Sequence, residues 1–158
     1  MNRHHVIIAA IIAVASCATA LADGMTTTGA PRVIDGRTME VAGKQVTLAH
    51  IAVPPIGGAC HWRGKPFDCG ELARAGLMDL TAGAIVSCRS AAGGHICMSG
   101  GYDLAFGLVH AGWAVPLADA PQAYFDKMRE AERRGRGLWS AVDNSGGAIP
   151  ASLLVGVR

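Results

Sequence analysis

The pattern that decides the fold is RVIDGRTMEV at residues 32–41, followed by VTLAHIAVPP at residues 46–55. Asp35 and Gly36 lie between two short runs of apolar and β-branched residues, and an Asp-Gly pair in this setting is typical of a β-hairpin turn. After a second short turn, apolar residues recur at alternate positions over residues 45–51, which indicates a third strand. The segment therefore predicts a three-stranded antiparallel meander that ends in prolines.

The remainder of the chain supplies helices and shorter strands. Helices are predicted over residues 71–81, 103–110 and 122–134, and strands over residues 85–89, 95–98 and 113–115. Asp103 is the expected cap of the second helix and Gly112 its stop, while residues 52–69 are predicted to be a loop. The three meander strands and the strands at 85–89 and 95–98 make five, with one helix after the third and more helix at the end. This order indicates an α+β fold: a five-stranded OB-type β-barrel packed with about three helices.

The first 22 residues have the pattern of a secretory signal peptide. One arginine precedes an apolar run over residues 6–15, and residues 20–22 offer small side chains to a signal peptidase. That run is too short for a membrane-spanning helix. An alternative remains open, because residues 14–17 resemble a lipobox and a cut before Cys17 would attach a lipid to the chain. The further predicted divisions are a linker over residues 23–30, a folded domain over residues 31–139 and a flexible tail over residues 140–158.

The cysteines support export. Of the five, Cys17 lies in the signal segment, which leaves Cys60, Cys69, Cys88 and Cys97. Four cysteines allow three connectivities, and the simplest joins the two sequential pairs. Zinc is the competing interpretation, since His61 and His95 could serve as further ligands, but structural zinc sites favour ligand pairs two to four residues apart. In an exported chain this spacing favours disulfides, and hence a periplasmic or extracellular location.

Charge gives little support for nucleic-acid binding. Removing residues 1–22 takes away one of the 14 Lys and Arg and none of the 12 Asp and Glu, which leaves a net charge of about +1. Nucleic-acid-binding domains usually have a clearly basic surface. Aromatic residues that could stack on bases make up only 5% of the chain.

Several segments together carry a family resemblance. They are DGxT at 35–38, VxLxxIxxP at 46–54, Cys60, CGExA at 69–73, DL at 103–104, LVxxGWA at 108–114, Tyr124, EA at 130–131 and GLW at 137–139. In this order and spacing, residues 31–139 resemble the secreted bacterial staphylococcal nuclease (thermonuclease)-like family. The resemblance implies an OB barrel packed with helices and, for the family reaction, phosphodiester hydrolysis. That reaction uses Ca²⁺ held by carboxylates, a glutamate that acts on water, and two arginines that stabilise charge on phosphorus.

The positions that match the family's chemistry hold other residues. The two metal-binding aspartates correspond to Arg37 and Ala52, the strand arginine to Thr47, and the glutamate to Pro55. No shift of register restores an acid, because residues 41–67 contain no Asp or Glu. The resemblance therefore implies a catalytically degenerate member with no catalytic residues and no metal ligands. No cofactor is expected, and Ca²⁺ would be one only if the chain is still a nuclease.

The remaining candidates are weaker. Asp35 is interpreted as a hairpin residue rather than a metal ligand, and His61 and His95 as surface histidines without a base–orienter arrangement. Ser87, Ser90 and Ser99 show no accompanying His/Asp pattern. A basic group near the end of the last helix could bind anions or be a solvated face: Arg129, Arg133, Arg134 and Arg136.

Two functions follow from these observations. The first is an exported, non-catalytic binding or accessory protein of the periplasm or envelope, whose partner is an envelope protein, a glycan or an anionic polymer. The second is an active or residual metal-dependent nuclease acting on DNA or RNA. The acid-free window over residues 41–67 favours the first. A membrane enters only through lipidation of Cys17.

Overall fold

The computed structural model describes residues 26–62 and 65–140, which form a mixed α+β fold with three α-helices. The predicted class and the predicted number of helices are therefore confirmed. The predicted signal peptide with Cys17 and the predicted tail beyond Ser140 lie outside the described residues. None of the described helices is both long and apolar enough to cross a membrane.

The predicted meander is present as a three-stranded sheet. Its strands are β2 (Pro31–Val33), β3 (Thr38–Val41) and β4 (Lys44–Thr47), all antiparallel. In the first turn the Asp35 side chain accepts hydrogen bonds from the backbone N–H of Arg37 and of Thr38, both at 2.8 Å. Asp35 thus builds the hairpin turn by mimicking a backbone carbonyl.

A four-stranded antiparallel sheet has the order β1–β8–β9–β10. It contains β1 (Thr26–Gly29), β8 (Val86–Ala91), β9 (Gly94–Ser99) and β10 (Tyr102–Asp103). The expected linker over residues 23–30 is wrong for residues 26–29, which form β1. Three consecutive threonines have high β-propensity, and Thr27 is buried when β1 pairs with β8.

Two shorter pairings complete the strands. β5 (Ile51–Ala52) pairs with β11 (Val115–Pro116), and β6 (Ala59–Trp62) pairs with β7 (Lys65–Asp68). The predicted loop over residues 52–69 therefore contains a hairpin. Its Gly- and Pro-rich sequence lacks a clear alternation, so the pairing depends on its tertiary setting rather than on local pattern.

The sheets do not close into one barrel within the described part of the chain. Between the meander and the four-stranded sheet, a single parallel bridge joins Leu48 to His95. The amide of Ala49 also donates to the carbonyl of His95 at 2.9 Å. Barrel closure needs continuous ladders between neighbouring strands, and most strands here are only two to four residues long.

The helices are α1 (Cys69–Thr81), α2 (Leu104–Ala111) and α3 (Gln122–Arg133), followed by a 3₁₀ helix, Gly137–Ser140. Asp103 caps α2 as predicted, by accepting from the amide of Phe106 at 3.2 Å, and Gly112 ends it with φ +81°. α1 begins earlier than predicted because Asp68 caps it through the amide of Glu71. The strand predicted over residues 113–115 starts late, since the amide of Trp113 still bonds to Leu108.

The core has a main part and a small satellite. The largest fully buried side chains of the main part are Met39, Leu48, Ile51, Leu77, Leu104 and Leu108. The satellite consists of Cys60, Cys69 and Leu138, against which Phe67 and Trp113 pack. Trp113 contacts both parts, so it joins the satellite to the main core.

Candidate functional site

A cleft of about 420 Å³ lies between the first hairpin turn, strand β4 and the chain that leaves β5. We call it the Arg37 cleft; its lining includes Asp35, Arg37, Thr38, Thr47, Val53 and Pro55. Three of the four positions that the family resemblance singled out, Arg37, Thr47 and Pro55, thus face one space. They meet there because β3 and β4 pair with Thr38 opposite Thr47, and because the chain after β5 passes the hairpin turn.

Arg37 is the cation of this cleft. Its Nη1 donates to the carbonyl of Ile51 at 2.9 Å, and its own carbonyl accepts from the amide of Leu48 at 2.8 Å. The half-buried guanidinium is therefore fixed against the backbone at the start of β5. A guanidinium is always charged, and its planar shape fixes the directions in which its N–H groups point.

Asp35 is the only acidic residue among those that the structure shows lining the cleft. One of its oxygens, Oδ1, already accepts two backbone hydrogen bonds within the hairpin. Its observed contacts are thus those of a turn residue. In the described ranges, 26–62 and 65–140, no three His, Cys, Asp or Glu side chains are grouped closely enough to hold a metal ion.

The fourth position, Ala52, does not face the cleft. It is fully buried in β5, where it pairs with Val115. Pro55 is held by a turn in which its carbonyl accepts from the amide of Gly58 at 2.9 Å. Helix α1 approaches so closely that a Cβ at Gly70 would overlap this carbonyl. The cleft wall at Pro55 therefore depends on a glycine in the first turn of α1.

The Arg37 cleft presents hydrogen-bonding side chains to a polar group. Besides the guanidinium it has the hydroxyls of Thr38 and Thr47. A general base must have a free titratable group within hydrogen-bond reach of the proton that it removes. The only carboxylate among the described lining residues, Asp35, accepts two backbone hydrogen bonds in the turn through Oδ1.

The candidate histidines do not join this cleft. His61 is exposed in β6, whereas His95 is half-buried in β9 with Nδ1 buried and unbonded. His50, which the sequence did not single out, is more closely packed: its Nδ1 lies 3.5 Å from Asp119 and its ring meets Tyr124 edge-on. His61 and His95 lack an orienting carboxylate among the described contacts, and the His50–Asp119 pair does not line the Arg37 cleft.

The candidate serines show no catalytic arrangement in the described residues. The hydroxyl of Ser87 is hydrogen-bonded to Thr28 at 3.0 Å, as part of the pairing between β1 and β8. Ser90 and Ser99 belong to strands β8 and β9. A serine nucleophile needs a base within hydrogen-bond reach, and Ser87 has Thr28 there instead.

The basic group at the end of α3 is largely ion-paired. Arg129 pairs with Asp126, and Arg134 and Arg136 both approach Glu130. A hydrogen bond from Lys127 at 2.9 Å is the main cause that lowers the pKa of Glu130. Arg133 is exposed. Anion binding by Arg129, Arg133, Arg134 and Arg136 stays a prediction.

Tyr124 and Asp103 form a polar contact that the sequence analysis missed. The hydroxyl of Tyr124 donates to Oδ2 of Asp103 at 2.7 Å, while Oδ1 of Asp103 caps α2. Burial, followed by the hydrogen bond to Asp103, raises the pKa of Tyr124. The pair connects α3 to the start of α2. Because 21 residues separate the two partners, no local pattern could have indicated it.

The predicted cysteine pairs are confirmed as two disulfides. The Cα atoms lie 5.7 Å apart in Cys60–Cys69 and 4.0 Å apart in Cys88–Cys97, the latter pair directly opposite across β8 and β9. Their sulfurs are engaged with each other, so the zinc interpretation loses its thiolates. Disulfides persist in oxidising compartments, which indicates a non-cytoplasmic location.

Comparison with protein-family models and with curated proteins found no match to this chain.

Proposed function

We propose that the chain is a non-catalytic, exported binding protein built on a thermonuclease-like frame, and that the Arg37 cleft binds its ligand. We also propose that the strands belong to an OB-type barrel. The order of elements supports this assignment: a meander, helix α1, the hairpin β8–β9 and then α2 and α3. The bridge between Leu48 and His95 joins the meander to the hairpin where barrel strands would meet.

The hydrogen bond from Arg37 to the carbonyl of Ile51 carries the proposal. It holds a permanent positive charge in the cleft, beside the turn that would have to supply a metal ligand. A divalent cation placed there would be repelled by this charge. An anionic group would instead be attracted to the guanidinium.

The ligand class that suits this cleft best is an anionic polymer such as an acidic polysaccharide. One guanidinium and two threonine hydroxyls can bind a single charged group and its neighbouring hydroxyls. Few aromatic residues are present to stack on bases. An envelope protein and a nucleic acid are the competing partners.

The binding test uses residues 23–158 with dextran sulfate, neutral dextran and single-stranded DNA as probes. We expect binding to dextran sulfate, with at least about tenfold loss in Arg37→Gln, since a hydrogen bond to a charged group contributes about 1.5–3 kcal/mol. Arg32→Gln is the matched control, because Arg32 is an exposed arginine of the same sheet outside the cleft. Equal loss in both variants, or no binding to dextran sulfate, would contradict the proposal.

The nuclease alternative has its own test. Residues 23–158 with Ca²⁺ or Mn²⁺ should leave single-stranded DNA and RNA intact. Metal-dependent cleavage that persists in Asp35→Ala would overturn the non-catalytic assignment. The combined variant Arg37→Asp, Thr47→Arg, Ala52→Asp and Pro55→Glu should gain metal binding in calorimetry if the frame is thermonuclease-like. A folded variant that gains none would count against the frame.

A further inference from the structure

A second cavity, of about 610 Å³, lies between strand β7, the first turn of α1 and the 3₁₀ helix. We call it the Trp113 groove; its lining includes Lys65, Pro66, Phe67, Leu72, Trp113 and Ser140. Its volume lies within the range of about 300–1,000 Å³ that is usual for small-molecule sites. It shares no lining residue with the Arg37 cleft.

The walls of the groove are apolar and firmly placed. Phe67 and Trp113 pack on the satellite cluster, which the Cys60–Cys69 disulfide holds together. The indole lies so close to α1 that a Cβ at Gly76 would come within 2.5 Å of its Cδ1. Two aromatic rings fixed in this way offer a preformed surface to an apolar group.

The acidic residues at the groove are already engaged. The two oxygens of Asp68 accept from the amides of Glu71 at 3.1 Å and of Gly57 at 2.8 Å. The Glu71 carboxylate pairs with Arg74 at 2.7 Å. The Glu71 charge is therefore offset by Arg74, and the Asp68 carboxylate is held by backbone amides on the side of α1 and Gly57.

The uncommitted polar groups are donors. The ammonium group of Lys65 and the indole N–H of Trp113 both belong to residues that line the groove, and within the described ranges neither has a hydrogen-bond partner. The hydroxyl of Ser140 donates to the carbonyl of Gly137 at 2.7 Å. An anionic head group placed beside Lys65 would be attracted to it, whereas a cationic head group at the same place would be repelled by Lys65.

We propose that the Trp113 groove binds a small amphiphilic carboxylate of the fatty-acid class. Its apolar chain lies against Phe67, Leu72 and Trp113, and its carboxylate accepts from Lys65. This site is separate from the Arg37 cleft and does not depend on the function proposed for that cleft.

The test compares three probes that share one chain and differ in the head group. Octanoate, octanol and octyltrimethylammonium are titrated into residues 23–158 by calorimetry. We expect octanoate to bind at least about tenfold more tightly than octanol, because a charge-assisted hydrogen bond exceeds a neutral one. The ammonium probe should bind most weakly. Equal affinities for all three, or no binding of octanoate, overturns the proposal.

Variants locate the site. Lys65→Met should lower the affinity for octanoate to that for octanol and leave octanol unchanged, while Lys44→Met, in another hairpin, should change neither. Leu72→Ala should weaken both probes, whereas Met78→Ala, an exposed residue of the same helix outside the groove, should not. Arg37→Gln should leave octanoate binding unchanged. Unchanged octanoate binding in both Lys65→Met and Leu72→Ala overturns the assignment.

Discussion

The Arg37 cleft is built on the sheet β2–β3–β4 and on β5, whose apolar side chains belong to the main core, whereas the Trp113 groove rests on the satellite of three buried residues. In the cleft, backbone hydrogen bonds hold the polar groups in place. In the groove, a disulfide and two aromatic rings hold the walls. The first depends on backbone pairing, and the second on the Cys60–Cys69 bond together with the packing of the two rings.

Gly70 is the residue on which both regions depend. It lies in the first turn of α1 beside the groove, and it touches the carbonyl of Pro55 at the cleft. Gly70→Ala would force backbone apart, so we expect a loss of unfolding free energy of about 3 kcal/mol or more. Urea denaturation measures it. Gly83→Ala, which meets nothing within 4 Å, should cost only the left-handed penalty of about 1–2 kcal/mol. Similar losses would show that the two regions are not joined through this contact.

The two disulfides separate the regions, because each closes a loop with a sequence separation of 9. Replacing Cys60 and Cys69 by alanine should lower the free energy of unfolding by about 2–3 kcal/mol and abolish octanoate binding. In this variant the amide of Leu48, which donates to the carbonyl of Arg37, should still exchange only through global unfolding.

Replacing Cys88 and Cys97 by alanine should lower the free energy of unfolding further, since both are fully buried in the main core. Equal effects on both sites would refute the division into two regions.

Tyr124→Phe tests the main-core side alone. Loss of the hydrogen bond to Asp103 should lower the free energy of unfolding by about 1–2 kcal/mol. Tyr102→Phe, at an exposed position, should change it little. The pKa of Tyr124 is raised in the folded state. The neutral hydroxyl therefore stabilises the fold fully below the unfolded pKa of about 10, and this stabilisation is lost as pH rises above that value. Urea denaturation between pH 8 and about 10.5 should show a shallower decline in Tyr124→Phe. An unaltered decline would indicate that other groups dominate.

Much of the fold could be predicted because its signals are local. The Asp35-Gly36 turn, the Asp103 cap and the Gly112 stop each require a specific backbone geometry that a few neighbouring residues supply. Strand β1 could not be predicted, because its partner β8 is distant along the chain. The β6–β7 hairpin could not be predicted either, because its sequence shows no strand pattern of its own. The extent of barrel closure is likewise decided by contacts between sheets.

The two sites differ in the same way. Arg37, Thr47 and Pro55 lie together because of a meander whose register the sequence indicates. The burial of Ala52 could not be predicted from that register. The Trp113 groove combines Lys65, Trp113 and Ser140, which are far apart along the chain and show no shared periodicity. Only the path of the chain brings them together.

Strand β1 has a consequence for the order of folding. Thr26 pairs with Arg89 and Gly29 with Val86. About sixty further residues must therefore leave the ribosome or a translocation pore before β1 can pair with its partner strand. During that delay its edge is open to other chains. Its sequence, three threonines and a glycine, contains no large apolar side chain that would favour aggregation. The first strand to emerge is thus also one that can remain unpaired with little risk.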